Sequence, residues 1–136
     1  MRLELTRKSE LALRALSVLS RTDGGFANGP EIADALSIST HYLATVMAPL
    51  SRAGWVRSAT GPRGGYRLSL DISSHSVLDL IESVEGIVDR DSCMHGDVMQ
   101  PVQEPCSLHQ PWTRARDALL KELDAANLGE VLGIES

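Results

Sequence analysis

Cys93 and Cys106 are the two cysteines of this 136-residue chain, and His109 follows closely in the pattern Cys93-x12-Cys106-x2-His109. Two thiols and an imidazole are donors for iron-sulfur or zinc chemistry, and two thiols alone can cycle between dithiol and disulfide. A Cys-x2-His spacing at a helix start lets both side chains converge on one ion. A 2Fe-2S cluster needs four ligands, so this set is one short of a cluster. His95, close to Cys93 and with Asp97 behind it, is the rival ligand; two cysteines with two histidines could also form a tetrahedral zinc site. His75 reads as a solvated residue near a helix cap. Three chemistries are therefore open for the loop: an iron-sulfur cluster, a metal-free thiol switch, or a loop with another ligand or none.

A second constellation lies at Gly54 to Leu68, Gly-Trp-Val-Arg-Ser-Ala-Thr-Gly-Pro-Arg-Gly-Gly-Tyr-Arg-Leu, which reads as two short strands around a glycine-rich tip. Before it, Pro30 to Ala53 carries two helical patterns separated by Ser37-Ile38. Together they spell a winged helix-turn-helix, an arrangement that lies on DNA. The first turn of the second helix presents Thr40, His41, Tyr42 and Thr45, whose hydroxyl and imidazole groups can pair with base edges in the major groove. Tyr42 can equally pack against the preceding helix, and His41 can meet only a phosphate. In the wing, Gly61, Gly64 and Gly65 permit a tight turn. Arg63 at the tip can enter a narrow minor groove, while Arg57 and Arg67 would meet phosphates.

The elements that position these groups follow from caps and periodicity. Thr6 caps a helix running to about Leu19, with Leu11, Ala12, Ala15, Leu16 and Leu19 on its apolar side. After an Asn28-Gly29 turn, Pro30 opens a short helix through Leu36. Ser39 caps the recognition helix, Thr40 to Ala53, which Gly54 closes and in which Pro49 predicts a kink. Beyond the wing, Ser76 or a neighbouring serine starts a helix through Val77, Leu80, Ile81 and Val84, closed by Gly86. Ile87 to Pro105 has little periodicity, which for about nineteen residues marks a functional or disordered loop. Pro111 opens a long helix to about Ala126, with Trp112, Ala115, Leu119, Leu123 and Ala126 on one face, a face that wants a partner. The tail from Asn127 reads as a short capped turn folding back on that helix.

The expected fold is mainly α with a small β-wing. Residues 1–72 form the winged helix-turn-helix, and residues 73–136 the sensor loop and dimerisation helix, packed with it as one compact unit. Net charge is -5, yet residues 1–67 hold nine Lys/Arg against five Asp/Glu, and residues 68–136 hold four against thirteen. The basic half is also the helix-turn-helix half, the electrostatic footprint of phosphate contact. No apolar run of 18 residues and no secretory leader is evident, so the expected location is cytoplasmic, with no membrane partner. No Ser-His-Asp set, phosphate loop or catalytic carboxylate pair is placed by the chain, so no enzyme is implied.

The chain resembles the IscR/NsrR (Rrf-type) family of bacterial transcriptional regulators. The resemblance rests on the Met1-Arg-Leu opening with Ala12-Leu-Arg-Ala, Ser39-Thr-His-Tyr-Leu, Leu50-Ser-Arg-Ala-Gly-Trp-Val, Gly61-Pro-Arg-Gly-Gly-Tyr, Cys106-Ser-Leu-His and Leu128-Gly-Glu-Val-Leu. It implies a dimeric winged-helix regulator, a repressor of a near-palindromic operator in double-stranded DNA, sensing redox, nitric oxide or iron status through a 2Fe-2S cluster. Members that bind a cluster usually carry three cysteines in this loop; here there are two. The resemblance implies Cys93, Cys106 and His109 as ligands, with Glu10 of the first helix of the partner subunit as the fourth. At the family's main base-discriminating position stands Ala44, which can neither repel nor pair with a cytosine amine, so operator choice should differ from that of members with an acid there. The alternatives are a cluster-free regulator using a Cys93/Cys106 thiol switch or a small ligand, and an iron-sulfur carrier whose winged domain only mediates protein contacts.

Overall fold

The structure, a computed structural model, describes residues 2–22, 24–88 and 107–134. Helix α1 (Arg7–Ser20) begins where the Thr6 hydroxyl accepts the Ser9 N–H at 3.2 Å. Its apolar face, Leu11, Ala12, Ala15, Leu16 and Leu19, is fully or almost fully buried and forms the centre of the core. Helix α2 (Gly29–Leu36) starts one residue earlier than the sequence predicts: Asn28 is its cap, accepting the Glu31 N–H at 2.8 Å, and Pro30 falls inside the first turn, where its missing N–H has no partner to lose. Helix α3 (Thr40–Arg52) is capped by Ser39 and runs through Pro49, with the Ala53 N–H bonded to the Pro49 carbonyl at 3.0 Å. Gly54, at φ +85°, turns the chain out of the helix and into the wing.

The wing is the antiparallel pair β1 (Val56–Ala59) and β2 (Gly65–Leu68), with Val56 opposite Leu68 and Ala59 opposite Gly65. A third backbone segment joins it. Ala27 and Tyr66 exchange two N–H to carbonyl bonds of 2.8 Å, tying the α1–α2 connection to the wing. After a 3-10 turn (Ile72–Ser74), helix α4 (Val77–Glu85) opens with a reciprocal capping box between Ser76 and Asp79. The 3-10 turn is capped by Asp71, whose carboxyl is held below its ordinary value chiefly by the Ser73 hydroxyl and then by the Ser73 N–H.

Helix α5 (His109–Ala125) begins two residues before the expected Pro111. Leu108 occupies the cap without a side-chain bond, so no cap residue signals the start, and Pro111 is tolerated in the first turn. The expected single apolar face of α5 divides in two. Leu120 is buried, and Leu123 and Ala126 pack on the core, whereas Ala115 and Leu119 are exposed and Trp112 half-buried. The tail forms α6 (Leu128–Val131), and it folds back onto the 3-10 turn and the start of α4 rather than onto α5 alone: the Leu128 N–H reaches the His75 carbonyl at 2.9 Å, the Asn127 amide reaches the Ser73 carbonyl at 2.6 Å, and Leu128 is fully buried.

Candidate nucleic-acid interface and sensor elements

The turn between α2 and α3 aims the recognition helix. Ser37 adopts φ 57°, and the Ser37 and Ile38 N–H groups close on the Asp34 and Ala33 carbonyls, so α2 ends sharply and Ser39 can cap α3 two residues later. Leu43, Val46, Met47 and Leu50 are buried and anchor one side of α3. The opposite side presents Thr40, His41, Ala44 and Thr45 to solvent at and just after the N-terminal turn. Tyr42 differs from the other three expected base readers: it is half-buried and packs against the core, which leaves Thr40, His41 and Thr45 as the exposed polar side chains of that set.

In the wing, Arg57 and Arg63 are exposed. Gly61 has φ +99°, and its carbonyl accepts the Gly64 N–H at 3.0 Å, which closes the tip around Arg63. Gly64 and Gly65 have a structural role in the wing itself. A Cβ on Gly64 would collide with the Ala59 carbonyl, and one on Gly65, at φ +136°, with the Ala27 carbonyl. Sequence reading missed two features here. Ala27 carries no strand signal because a single bridging residue leaves no periodicity, and the chain's only phenylalanine, Phe26, lies with its ring 5.1 Å from the Arg67 guanidinium carbon.

Behind the wing, Trp55 is 2% exposed and its indole N–H donates to the Ser83 hydroxyl at 2.8 Å; that hydroxyl donates to the Asp79 carbonyl at 2.9 Å. The Trp55 ring meets His75 at a centroid distance of 4.8 Å, and His75 Nδ1 lies 3.4 Å from the Asp79 carboxylate. These contacts fasten the base of the wing to α4, whose far end leads toward the loop. At that end the Glu85 carboxylate accepts the hydroxyl of Ser9, a fully buried residue of α1, at 2.5 Å.

Of the expected metal ligands, Cys93 and Cys106 lie outside the described residues, as do the rivals His95 and Asp97. His109 is half-exposed in the first turn of α5, and Glu10 is exposed in the first turn of α1. Among the described residues no group of three His, Cys, Asp or Glu side chains is placed to hold a metal ion. Among them also, no helix is long and apolar enough to cross a membrane.

Comparison with known proteins agrees with this architecture. The chain is 32% identical over 131 residues to the HTH-type transcriptional regulator IscR of Escherichia coli, covering 96% of this chain and 80% of the relative. Its fold matches CymR, the global cysteine regulator of B. subtilis, with a TM-score of 0.77 at 26% identity, over 99% of this chain and 100% of that one. The oxidised form of Staphylococcus aureus CymR matches with a TM-score of 0.74 at 27% identity, over 98% and 99% of the two chains. Residues 5–133 match the Rrf2 family, described as "Iron-dependent Transcriptional regulator". With the wing, the recognition helix and this match across nearly its whole length, the chain belongs to the Rrf2 family of transcriptional regulators.

Proposed function

We propose that the protein is a homodimeric repressor that binds a near-palindromic DNA operator and releases or engages it according to the state of a 2Fe-2S cluster. In this reading residues 1–72 bind DNA, while residues 73–136 sense and dimerise, and the protein acts by binding rather than by catalysis. The observation that carries the DNA half is the joint exposure of Thr40, His41 and Thr45 on the recognition helix and of Arg57 and Arg63 on the wing. Gly64 and Gly65 serve the same interface by letting the wing backbone turn tightly, where a Cβ would collide with the Ala59 and Ala27 carbonyls.

The donor set fits a cluster by its chemistry: two thiolates from Cys93 and Cys106, an imidazole from His109 and a carboxylate from the partner subunit's Glu10 complete the four positions that a 2Fe-2S cluster requires. When bound, the cluster supplies a one-electron couple responsive to redox, nitric oxide and iron supply. Within each chain, α1, the helix that carries Glu10, is bonded through Ser9 to Glu85 at the end of α4. A site shared between the loop and a DNA-binding helix is suited to bias the spacing of two recognition helices.

A second reading, a Cys93/Cys106 dithiol-disulfide switch, is favoured by the presence of two loop cysteines rather than three and by likeness to a relative described in an oxidised form. One experiment separates the readings. Protein purified without oxygen is expected to show visible bands between about 320 and 460 nm, with iron and sulfide, that vanish in Cys106→Ala. Colourless, iron-free protein that loses two free thiols on peroxide treatment would instead establish the thiol switch.

A further inference from the structure

A row of three side chains crosses the outer face of the wing. The strand register sets Arg57 directly opposite Arg67, and the bridge between Ala27 and Tyr66 sets Phe26 alongside Arg67 on the other side. Side chains alternate between the faces of a strand, and Val56 and Leu68 pack inward, so Arg57 and Arg67 share the face turned away from the core. The Arg67 guanidinium carbon is 5.1 Å from the Phe26 ring centroid, within cation-π range.

Two like charges directly opposite on antiparallel strands repel. Among the described residues neither guanidinium has a carboxylate within ion-pair distance. The ring restrains one cation without neutralising it. The ring offers the guanidinium no oxygen acceptor, and its N–H groups therefore remain free to make a bidentate contact with an anion. A fixed cation beside a second one, both lacking an acid, is a seat for an anion able to touch both.

We propose that Phe26 is a positioning residue that holds Arg67 next to Arg57 as a two-pronged clamp for one backbone phosphate of duplex DNA, distinct from Arg63 at the wing tip. The inference rests on the DNA-binding reading above and adds to it a joint role for the two arginines and a role for a residue that touches no DNA.

The test uses the full chain and a duplex enriched from a random-sequence pool by the wild-type protein, with affinity measured across a range of KCl concentrations. Arg67→Ala is expected to flatten the log-log salt slope by about one per protomer. Phe26→Leu should weaken binding about three- to tenfold, Phe26→Tyr should restore it, and Phe26→Leu introduced into the Arg67→Ala protein should cause no further loss. Equal losses from Phe26→Leu in the wild-type and Arg67→Ala backgrounds would mean that the ring only shapes the wing, and would overturn the clamp. If Phe26→Leu does not fold, the Arg57→Ala and Arg67→Ala cycle decides: a shared phosphate gives losses that are not additive, and strictly additive losses overturn the proposal. Failure of the wild-type protein to enrich any duplex would remove the DNA-binding reading itself, an outcome distinct from either.

Discussion

Ser37 is the one non-glycine residue with positive φ among the described residues, and it sits where the two helices of the DNA-reading motif meet. An L side chain in this left-handed conformation is strained by about 1–2 kcal/mol, whereas glycine there would forgo roughly 0.5–1 kcal/mol through its greater freedom in the unfolded chain. The first effect is the larger. Ser37→Gly is therefore expected to raise the unfolding free energy by about 0.5–1 kcal/mol, seen as a higher urea midpoint with an unchanged slope; a lower midpoint would mean that the serine side chain is itself stabilising the turn. At this scale the sequence was legible where a side chain advertises its job. Thr6 and Ser39 cap the helices expected of them, and among the neighbouring serines Ser76 is the one that caps α4. Ser37 was not, because serine carries no preference for the left-handed region; only the closing of the Ser37 and Ile38 N–H groups on α2 places it there.

Among the elements, the wing was read as two short strands around a glycine-rich tip, and both strands formed within the expected Gly54–Leu68 segment. What could not be read is that the hairpin leans on a third backbone segment. Two-stranded ribbons are marginal in water, and the paired bonds between Ala27 and Tyr66 give this one a foothold on the core. Gly65 is the point of closest approach: a methyl group would meet the Ala27 carbonyl and would also be held at φ +136°. Gly65→Ala is expected to break this bridge and destabilise the protein by about 2–4 kcal/mol, since strain and lost pairing act together. The loss would appear as a lowered melting temperature, and in a mobility-shift titration as weakened DNA binding, while α1–α4 keep their far-ultraviolet signal. Wild-type stability in the Gly65→Ala variant would mean that the third segment is incidental. Helix α5 was legible in extent but not in packing, because Trp112, Ala115, Leu119, Leu123 and Ala126 share one side of the helix, and that periodicity cannot reveal that only the C-terminal part, with Leu120, Leu123 and Ala126, meets the core while Ala115 and Leu119 stay exposed.

For the whole molecule, that division bears on how two copies would meet. Along α5 an apolar strip of Leu108, Pro111, Trp112, Ala115 and Leu119, joined by Leu3 from the N-terminal arm, borders an open hollow of about 570 Å³. Leu108 and Leu119 are 45% and 50% exposed, and Leu3 is 79% exposed, although the same helix buries Leu120 on its other side. Large aliphatic side chains aligned in this way are the composition of an interface rather than of a solvated helix face. Apart from Leu3 the strip lies in the acidic part of the chain, remote in sequence from the wing, and a dimer paired through α5 with both recognition helices exposed would read two half-sites. A charge at the centre of the strip, Leu119→Glu, leaves the core untouched because Leu119 makes no part of it, yet it must be desolvated on association. The expected result is a protein with wild-type circular dichroism that sediments as a 14.7 kDa monomer where the parent sediments at twice that mass, a dimer weakened by at least about 100-fold. Its operator affinity should fall in parallel, because a monomer holds one half-site with half the phosphate contacts. If the Leu119→Glu variant still sedimented as a dimer, pairing through this strip would be excluded.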